Sequence, residues 1–393
     1  MRGAGTRLRV ALVRQRYDPH GGAERFIECA LPALERAGAD VTLIARRTAG
    51  WGARRYIEVD PFHVGSTWRD ASFARAARAA WEAGAFDLVQ SHERIAGCDI
   101  YRAGDGVHAE WLEIRRAAAG AAFWSAQRLG IALNPYHRYV CAAERRMFGH
   151  PRLRAVVCNS AMVRGEIERR FGVASAKLHV IHNGVDLAHF HPDRRAALRT
   201  AARAQLGLRG DAFLFLFVGS GFWRKGLDAA LGALAACGDA RLHLAVAGRD
   251  RDAGRYAGLA AAAGLSGRVH LLGGRDDVRP LYAAADCFLL PTRYDPFPNT
   301  ALEALAMGLP VVVGRRSGAA EILQPGSNGW VCDPADIPGL AHLLREAVAA
   351  SGDNRMLSAA RAAAEGYGID DMARKLTDLY SALGATPGAG RAR

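Results

Sequence analysis

Along this chain, short apolar runs alternate with Ala-rich stretches whose apolar residues recur at helical spacing. Residues 10–13, 41–45 and 87–91 read as strands, and 22–37 and 71–83 as helices between them. Residues 155–159 and 177–182 are two further strand candidates. A second series opens with the six consecutive apolar residues of Phe213–Val218, followed by a helix over 227–236. Strands over 242–247, 269–272, 287–290 and 310–313 continue it. Such alternation predicts parallel strands joined by crossover helices.

Between the two series lies His182-Asn183-Gly184-Val185-Asp186, then a charged helix over 194–206. The Asn-Gly pair suits a tight turn and marks a hinge. The reading is therefore α/β, with two Rossmann-like doubly wound domains over 1–190 and 191–367. A last helix near 370–383, within a carboxyl-terminal segment 368–393, has no strand after it and is expected to pack back onto the first domain. The tail beyond Gly384 is expected to fray. A chain of 393 residues accommodates two such domains. In doubly wound sheets ligands sit at the carboxyl ends of the strands, so the chemistry belongs in the loops that follow them.

Composition adds limits. Half of the residues are apolar and 23% are charged, the balance of a folded chain. No run approaches ~18 uninterrupted apolar residues, as a membrane span requires. Residues 8–13 read as a first strand rather than a secretion signal, since Arg14 and Arg16 follow at once. The seven cysteines (Cys29, Cys98, Cys141, Cys158, Cys237, Cys287, Cys332) are scattered and never spaced Cys-x-x-Cys, which disfavours a disulfide framework or a zinc site. A cytoplasmic location is expected. The net charge of +13 fits nucleic acid, an anionic membrane face or a phosphorylated substrate, and equally a composition rich in Ala and Arg.

Four loops carry candidate chemistry. Tyr294-Asp295-Pro296-Phe297-Pro298-Asn299-Thr300-Ala301-Leu302-Glu303 leaves a strand and opens a helix, where backbone N–H groups and the helix dipole favour phosphate or sugar oxygens. Asp295 and Glu303 can face one pocket as acceptors for hydroxyls. Thr300-x-x-Glu303 is also a capping box, which would account for Glu303 without a ligand. The second loop, Gly219-Ser220-Gly221-Phe222-Trp223-Arg224-Lys225-Gly226, puts two cations at a helix start, suited to charge building on a diphosphate leaving group. Alone, such a pair reads as solvated surface. Its glycine spacing misses the dinucleotide fingerprint. The third is Tyr17-Asp18-Pro19-His20-Gly21-Gly22, whose paired glycines either admit a ligand closely or make a plain βα turn. The fourth runs from Ser91-His92-Glu93 through Gly104-Asp105-Gly106-Val107-His108 to Glu110.

Together these motifs resemble glycosyltransferase family 4, over nearly the whole chain. The acid-x7-Glu segment with Pro-Phe after the first acid resembles the family's donor-sugar motif, with Asp295 where members usually carry Glu. Arg224-Lys225-Gly226 is similar to the family's Arg-Lys-Gly segment. Gly97-Cys98-Asp99-Ile100-Tyr101 and Ala103-Gly104-Asp105, with Tyr136-His137-Arg138-Tyr139, resemble its lipopolysaccharide core glucosyltransferase I branch. The resemblance implies the GT-B architecture, two Rossmann-like domains facing a cleft, with the acceptor on the first and the nucleotide-sugar donor on the second. It further implies a retaining, metal-independent hexose transfer, from UDP-glucose to an inner-core heptose of lipopolysaccharide. Carried over, Asp105, Arg224, Lys225 and Asp295 are the catalytic candidates. Gly21, Gly22, Phe297, Pro298, Asn299, Thr300, Ala301 and Glu303 would bind the donor, with His92 and His108 as lesser candidates. The shorter Asp295 would retract its contact by about one methylene. A mannosyl- or N-acetylglucosaminyltransferase of O-antigen or exopolysaccharide synthesis is the alternative enzyme, and an inactive sugar-nucleotide scaffold the alternative of another class. No nucleic-acid-reading motif is present.

Asp250-Arg251-Asp252 fits a metal-binding Asp-x-Asp pattern but has no second acidic cluster beside it, so no metal or other cofactor is expected. Residues 111–133 mix aromatic, aliphatic and basic side chains. They can form an ordinary packed helix, or lie on an anionic membrane face and so make the protein peripheral to the inner side of the cytoplasmic membrane.

Overall fold

The structure is a computed structural model and describes residues 8–16, 31–32, 34–36, 38–47, 54–118, 130 and 133–385. The chain divides into two compact units, residues 1–184 with 369–393, and residues 185–368. The first crossing thus falls inside the Asn-Gly turn, a few residues before the boundary at 190 that the helical pattern suggested.

The amino-terminal unit holds a seven-stranded parallel sheet. Its strands are β1 (Leu8–Val13), β2 (Ala39–Ala45), β3 (Tyr56–Glu58), β4 (Leu88–Ser91), β5 (Ile100–Ala103), β6 (Ala155–Cys158) and β7 (Leu178–Val180), in spatial order β3-β2-β1-β4-β5-β6-β7. Helices α1 (Gly65–Ala83), α2 (His108–Ala118), α3 (Pro135–Phe148) and α4 (Ala161–Phe171) belong to this unit. One face of the sheet packs Phe73, Ala77 and Trp81 of α1, Met147 of α3 and Ile167 of α4 against Val13, Val89 and Val156. The other face packs Val10, Leu12 and Leu88 against Leu31, Leu34 and the closing helix, which contributes Met372, Leu376, Leu379 and Tyr380. The strands are covered on both faces and accordingly read as near-continuous apolar runs.

The carboxyl-terminal unit begins with α5 (Pro192–Gln205) and holds a six-stranded parallel sheet. Strand β8 (Phe213–Val218) is followed by the one-turn α6 (Phe222–Lys225) and by α7 (Leu227–Cys237), then β9 (Leu242–Ala247), α8 (Ala253–Ala262) and β10 (Val269–Gly273). Next come α9 (Arg279–Ala284), β11 (Cys287–Leu290), α10 (Asn299–Ala306), β12 (Val311–Gly314), β13 (Gly329–Cys332), α11 (Ile337–Ala349) and α12 (Asn354–Glu365). The spatial order is β10-β9-β8-β11-β12-β13. Helix α5 docks through arginines one turn apart. Arg199 donates to the carbonyls of Ala283, Ala284 and Ala285, and Arg203 to that of Ala284, so cations cap the carboxyl end of α9. The chain then returns through α13 (Ile369–Ala385) to the first unit.

In each sheet the order reverses beside the first strand, at β1/β4 and at β8/β11. A crevice opens where crossovers depart to opposite faces, which is where doubly wound sheets bind ligands. The loops after β1, β4, β8 and β11 therefore border these crevices.

Candidate functional site

In the carboxyl-terminal unit the two loops at the switch point are bound to one another. Gly226 allows this: its φ is +82°, and a Cβ there would meet the Pro291 carbonyl oxygen at 1.9 Å. The Arg224 carbonyl accepts from Thr292 Oγ1 and from the Arg293 amide, both at 2.9 Å. Arg293 forks onto both carboxylate oxygens of Asp228 at 2.8 Å, and its guanidinium lies 4.8 Å from the Trp223 ring centroid. Asp250 accepts from the Phe222 amide at 2.6 Å and so caps the one-turn α6. That turn presents Arg224 and Lys225 at a fixed place.

The Lys225 ammonium donates to the Asp295 carboxylate, and Arg224 Nη1 lies 4.0 Å from the same oxygen. Both Lys225 and Asp295 are buried. Burial lowers the Lys225 pKa, and the Asp295 charge opposes that shift. The Asp295 backbone is pinned on both sides, its amide donating to the Arg316 carbonyl and its carbonyl accepting from Gly318. Phe297 and Pro298 are buried, and Asn299, Thr300 and Ala301 begin α10, where the first-turn N–H groups have no partner within the helix.

The cap position of α10 is Pro298, and Thr300 Oγ1 donates to the Val218 carbonyl at 3.3 Å. The Glu303 carboxylate, 3% exposed, accepts from the Tyr282 hydroxyl at 2.9 Å. Glu303 is thus a buried acid on the second turn of a helix that opens at the switch point.

In the amino-terminal unit, Asp105 follows β5 and is exposed, with Arg14 Nη1 at 4.0 Å. It stands at a recess of about 240 Å³ lined from the loops after β1 and β4 and from α1 and α3, with Arg14, Glu93, Arg69, Asp70, Tyr136 and Tyr139 among its walls. Burial raises the Glu93 carboxyl, while Arg14 draws it down. Arg94 is tied to buried Glu144 at 2.9 Å, and Gln15 donates to Glu93 and Asp70. The wall carries cationic, anionic and phenolic side chains together, a lining that suits a polyhydroxylated ligand.

Neither histidine is a cation at neutral pH. Burial drives His92 well below its ordinary value, and it exchanges a hydrogen bond with Gln90, which in turn accepts from Tyr380 of α13. His108 is pushed down to about 3, chiefly by burial and by Arg94, and pairs with His137. Both are neutral and hydrogen-bonded within the amino-terminal unit. Gly21 and Gly22 lie outside the described residues, as do residues 119–129 and 131–132 of the segment considered for membrane contact. Within α2, Leu112 and Ile114 of that segment are packed inward. Among the described residues no three His, Cys, Asp or Glu side chains gather as a metal site would require.

Sequence reasoning passed over Tyr282, Thr292, Arg293 and Asp228, which brace the loops at the β8/β11 switch point, and Arg14, Arg94 and Asp70, which build the recess. Arg293 could have been flagged by its place two residues before Asp295. Tyr282 gives no local signal.

Comparison with known proteins follows this division. The family model for glycosyl transferases group 1 matches residues 199–364, and that for glycosyltransferase family 4 matches residues 20–189. A probable transglycosylase of Burkholderia thailandensis is 30% identical over 333 residues, 84% of this chain and 83% of its own length. The lipopolysaccharide glucosyltransferase WaaG of Escherichia coli is 25% identical over 355 residues, 87% of this chain and 90% of that one. A crystal structure of WaaG superposes with a TM-score of 0.79, covering 95% of this chain and 99% of the other. HepE of Anabaena, solved in complex with UDP-glucose, shares the fold at TM-score 0.70 and 19% identity, covering 95% of this chain and all of that one.

Proposed function

Because the chain belongs to glycosyltransferase family 4 and has the GT-B fold, we propose that it is a retaining hexosyltransferase moving glucose from UDP-glucose to an inner-core heptose of lipopolysaccharide. The observation that carries this is the Arg224, Lys225 and Asp295 cluster at the β8/β11 switch point, with buried Glu303 on the helix that follows the Asp295 loop. Two fixed cations and an acidic acceptor suit a diphosphate joined to a sugar. The similarity to WaaG supports the glucose donor and the lipopolysaccharide acceptor, and HepE, which shares the fold, was solved with UDP-glucose.

In this reading the diphosphate lies against Arg224 and Lys225 and the first-turn amides of α10. Asp295 accepts from sugar hydroxyls and Glu303 from the ribose. The acceptor hydroxyl attacks the anomeric carbon as the bond to the β-phosphate oxygen breaks, and the departing diphosphate takes the hydroxyl proton. Negative charge grows on that diphosphate, where the two cations stabilise it more strongly in the transition state than in the bound donor. Asp105, exposed at the recess of the amino-terminal unit, is the catalytic candidate of that unit. The cations supply the neutralisation a divalent metal would otherwise provide, so the reaction runs without one. The enzyme works on the cytoplasmic side of the membrane that carries its acceptor.

The test is UDP release from UDP-glucose, with and without heptose-bearing lipopolysaccharide core. Acceptor-dependent release is expected, and Lys225→Ala should lower it by about 10²–10³-fold, the loss typical of one preorganised transition-state contact. Release only with another nucleotide sugar would replace glucose within the same family. UDP binding without turnover of any donor and acceptor would make the protein a scaffold.

A further inference from the structure

Tyr282 lies on the short α9 with no exposed surface of its own. Its ring meets Phe190 edge to face and Phe288 at a tilt, each centroid 6.0 Å away. Arg199 donates to the carbonyls of the next three residues, Ala283, Ala284 and Ala285, so the helix that carries Tyr282 is fixed at its carboxyl end. A phenylalanine would fill the same apolar space. The tyrosine adds one hydroxyl, and that hydroxyl reaches α10 at two points, the Glu303 carboxylate at 2.9 Å and the Thr300 carbonyl at 3.0 Å. A phenol has a single proton to donate, and a charged carboxylate is the stronger acceptor, so the donation goes chiefly to Glu303.

The start of α10 is held at a second place as well. Thr300 Oγ1 donates to the Val218 carbonyl at the end of β8, and the side chains of Ala301 and Leu302 are buried. The helix is thus tied to β8 and to α9 within one turn of Glu303. A carboxylate offers about four lone-pair sites on its two oxygens. The phenol takes one of them, on Oε2, and sets the plane in which the others lie. Neighbouring acceptor sites in a fixed plane match neighbouring hydroxyls, as on the vicinal diol of a ribose. A carboxylate free to turn would have to give up that freedom when the ligand arrives, which weakens binding; one already fixed does not. A hydroxyl that merely satisfied a buried acid would matter to stability, and would be indifferent to which hydroxyls a nucleotide carries.

We infer that Tyr282 is a positioning residue for the donor, fixing the Glu303 carboxylate in advance to receive the vicinal diol of the nucleotide ribose. This deepens the proposed function and rests on its reading of Glu303 as the ribose acceptor.

The experiment is calorimetric titration of the full chain with UDP and with dideoxyuridine diphosphate, which lacks both ribose hydroxyls. Tyr282→Phe should weaken UDP by about three- to tenfold, the cost of ordering one side chain on binding. Its affinity for the dideoxy nucleotide should equal that of the wild type, which also shows that the variant's site is folded. Glu303→Gln should likewise weaken UDP alone, and the double variant should be no weaker than Glu303→Gln, because the phenol acts through the carboxylate. In steady state, Tyr282→Phe should raise KM for UDP-glucose by the same factor and leave kcat near the wild-type value. Equal losses for the two nucleotides, or additive losses in the double variant, would overturn the inference. Wild-type behaviour of Tyr282→Phe beside a weakened Glu303→Gln would overturn it and leave the proposed function standing. If neither nucleotide binds the wild type, both fall together. If the binding pattern is as expected but glucose is not transferred, the role of Tyr282 stands and the glucose donor falls.

Discussion

Asp295→Asn tests the charge arrangement at the switch point most directly. Lys225 and Asp295 have side chains only 11% and 7% exposed, and they neutralise each other there. Removing one member of a buried pair leaves the other uncompensated, a loss of about 3–5 kcal/mol. Asparagine keeps a carbonyl acceptor for the ammonium, so the lower end, about 3 kcal/mol, is expected for the ligand-free protein. The same carboxylate also repels an incoming diphosphate. Two unit charges about 6 Å apart at an effective dielectric of about 20 repel by about 3 kcal/mol, and salt and water at the mouth reduce this to roughly half. UDP should therefore bind the variant about tenfold more tightly than the wild type, although the ligand-free variant is less stable. The pH dependence has a definite sign. Burial lowers the Lys225 pKa and Asp295 raises it. In the variant only the lowering influences remain, so the ammonium loses its proton earlier as pH rises. UDP affinity should then decline at a lower pH than in the wild type. Urea denaturation with and without UDP, and calorimetric titration of UDP across pH, read all three effects. Unchanged UDP affinity together with an unchanged denaturation midpoint would refute the reasoning.

Two further expectations concern the frame around the site. His92 and His108 are held neutral by burial, with His108 at about 3, so the unfolded chain takes up their protons first as pH falls. The stability they contribute is present above about pH 6.5 and declines below it by about 1.4 kcal/mol per pH unit for each. Urea midpoints measured from about pH 7.5 down to 5 should show this slope, and a flat profile would contradict it; His108→Asn should make the slope shallower. Burial pushes the thiols of Cys98, Cys158 and Cys332 up to about 12 and raises that of Cys287 as well. Among the six cysteines of the described residues, alkylation of the native protein near pH 8, read by mass spectrometry, should spare these four and reach half-buried Cys141 and Cys237 first. Early modification of Cys287 would contradict the packing around β11.

Much of the architecture could be read from the chain because a doubly wound sheet buries its strands on both faces. Residues 213–218 are apolar throughout, and β8 occupies the same six positions. Where a strand departs from that rule, the reading failed. β5 carries Arg102, buried to 2% and bonded to Asn183, so an apolar-run criterion passes over it. β3 is a three-residue edge strand, half in solvent, and β13 is four residues beginning with glycine. Chemistry was legible where it is local in sequence, as with the Arg224-Lys225 pair and the loop holding Asp295. Tyr282 holds Glu303 from another helix, and Arg46 reaches across the chain to residues 60–72. Contacts of that kind depend on which elements the fold sets side by side, and periodicity carries no record of them.

The return of α13 to the first unit has a consequence for how the polypeptide is made. The carboxyl-terminal unit is one continuous segment, complete once Gly368 has been synthesised, whereas the amino-terminal unit is assembled from the two ends of the chain. Met372, Leu376, Leu379 and Tyr380 cover Val10, Leu12 and Leu88 on one face of its sheet, and the Tyr380 hydroxyl donates to buried Gln90. On the ribosome, the amino-terminal unit must hold that apolar face uncovered until α13 leaves the exit tunnel. The usual order, in which amino-terminal domains mature ahead of those behind them, is reversed here. A chain that stops between Gly368 and α13 would carry every residue of the carboxyl-terminal unit and leave that face of β1 and β4 uncovered.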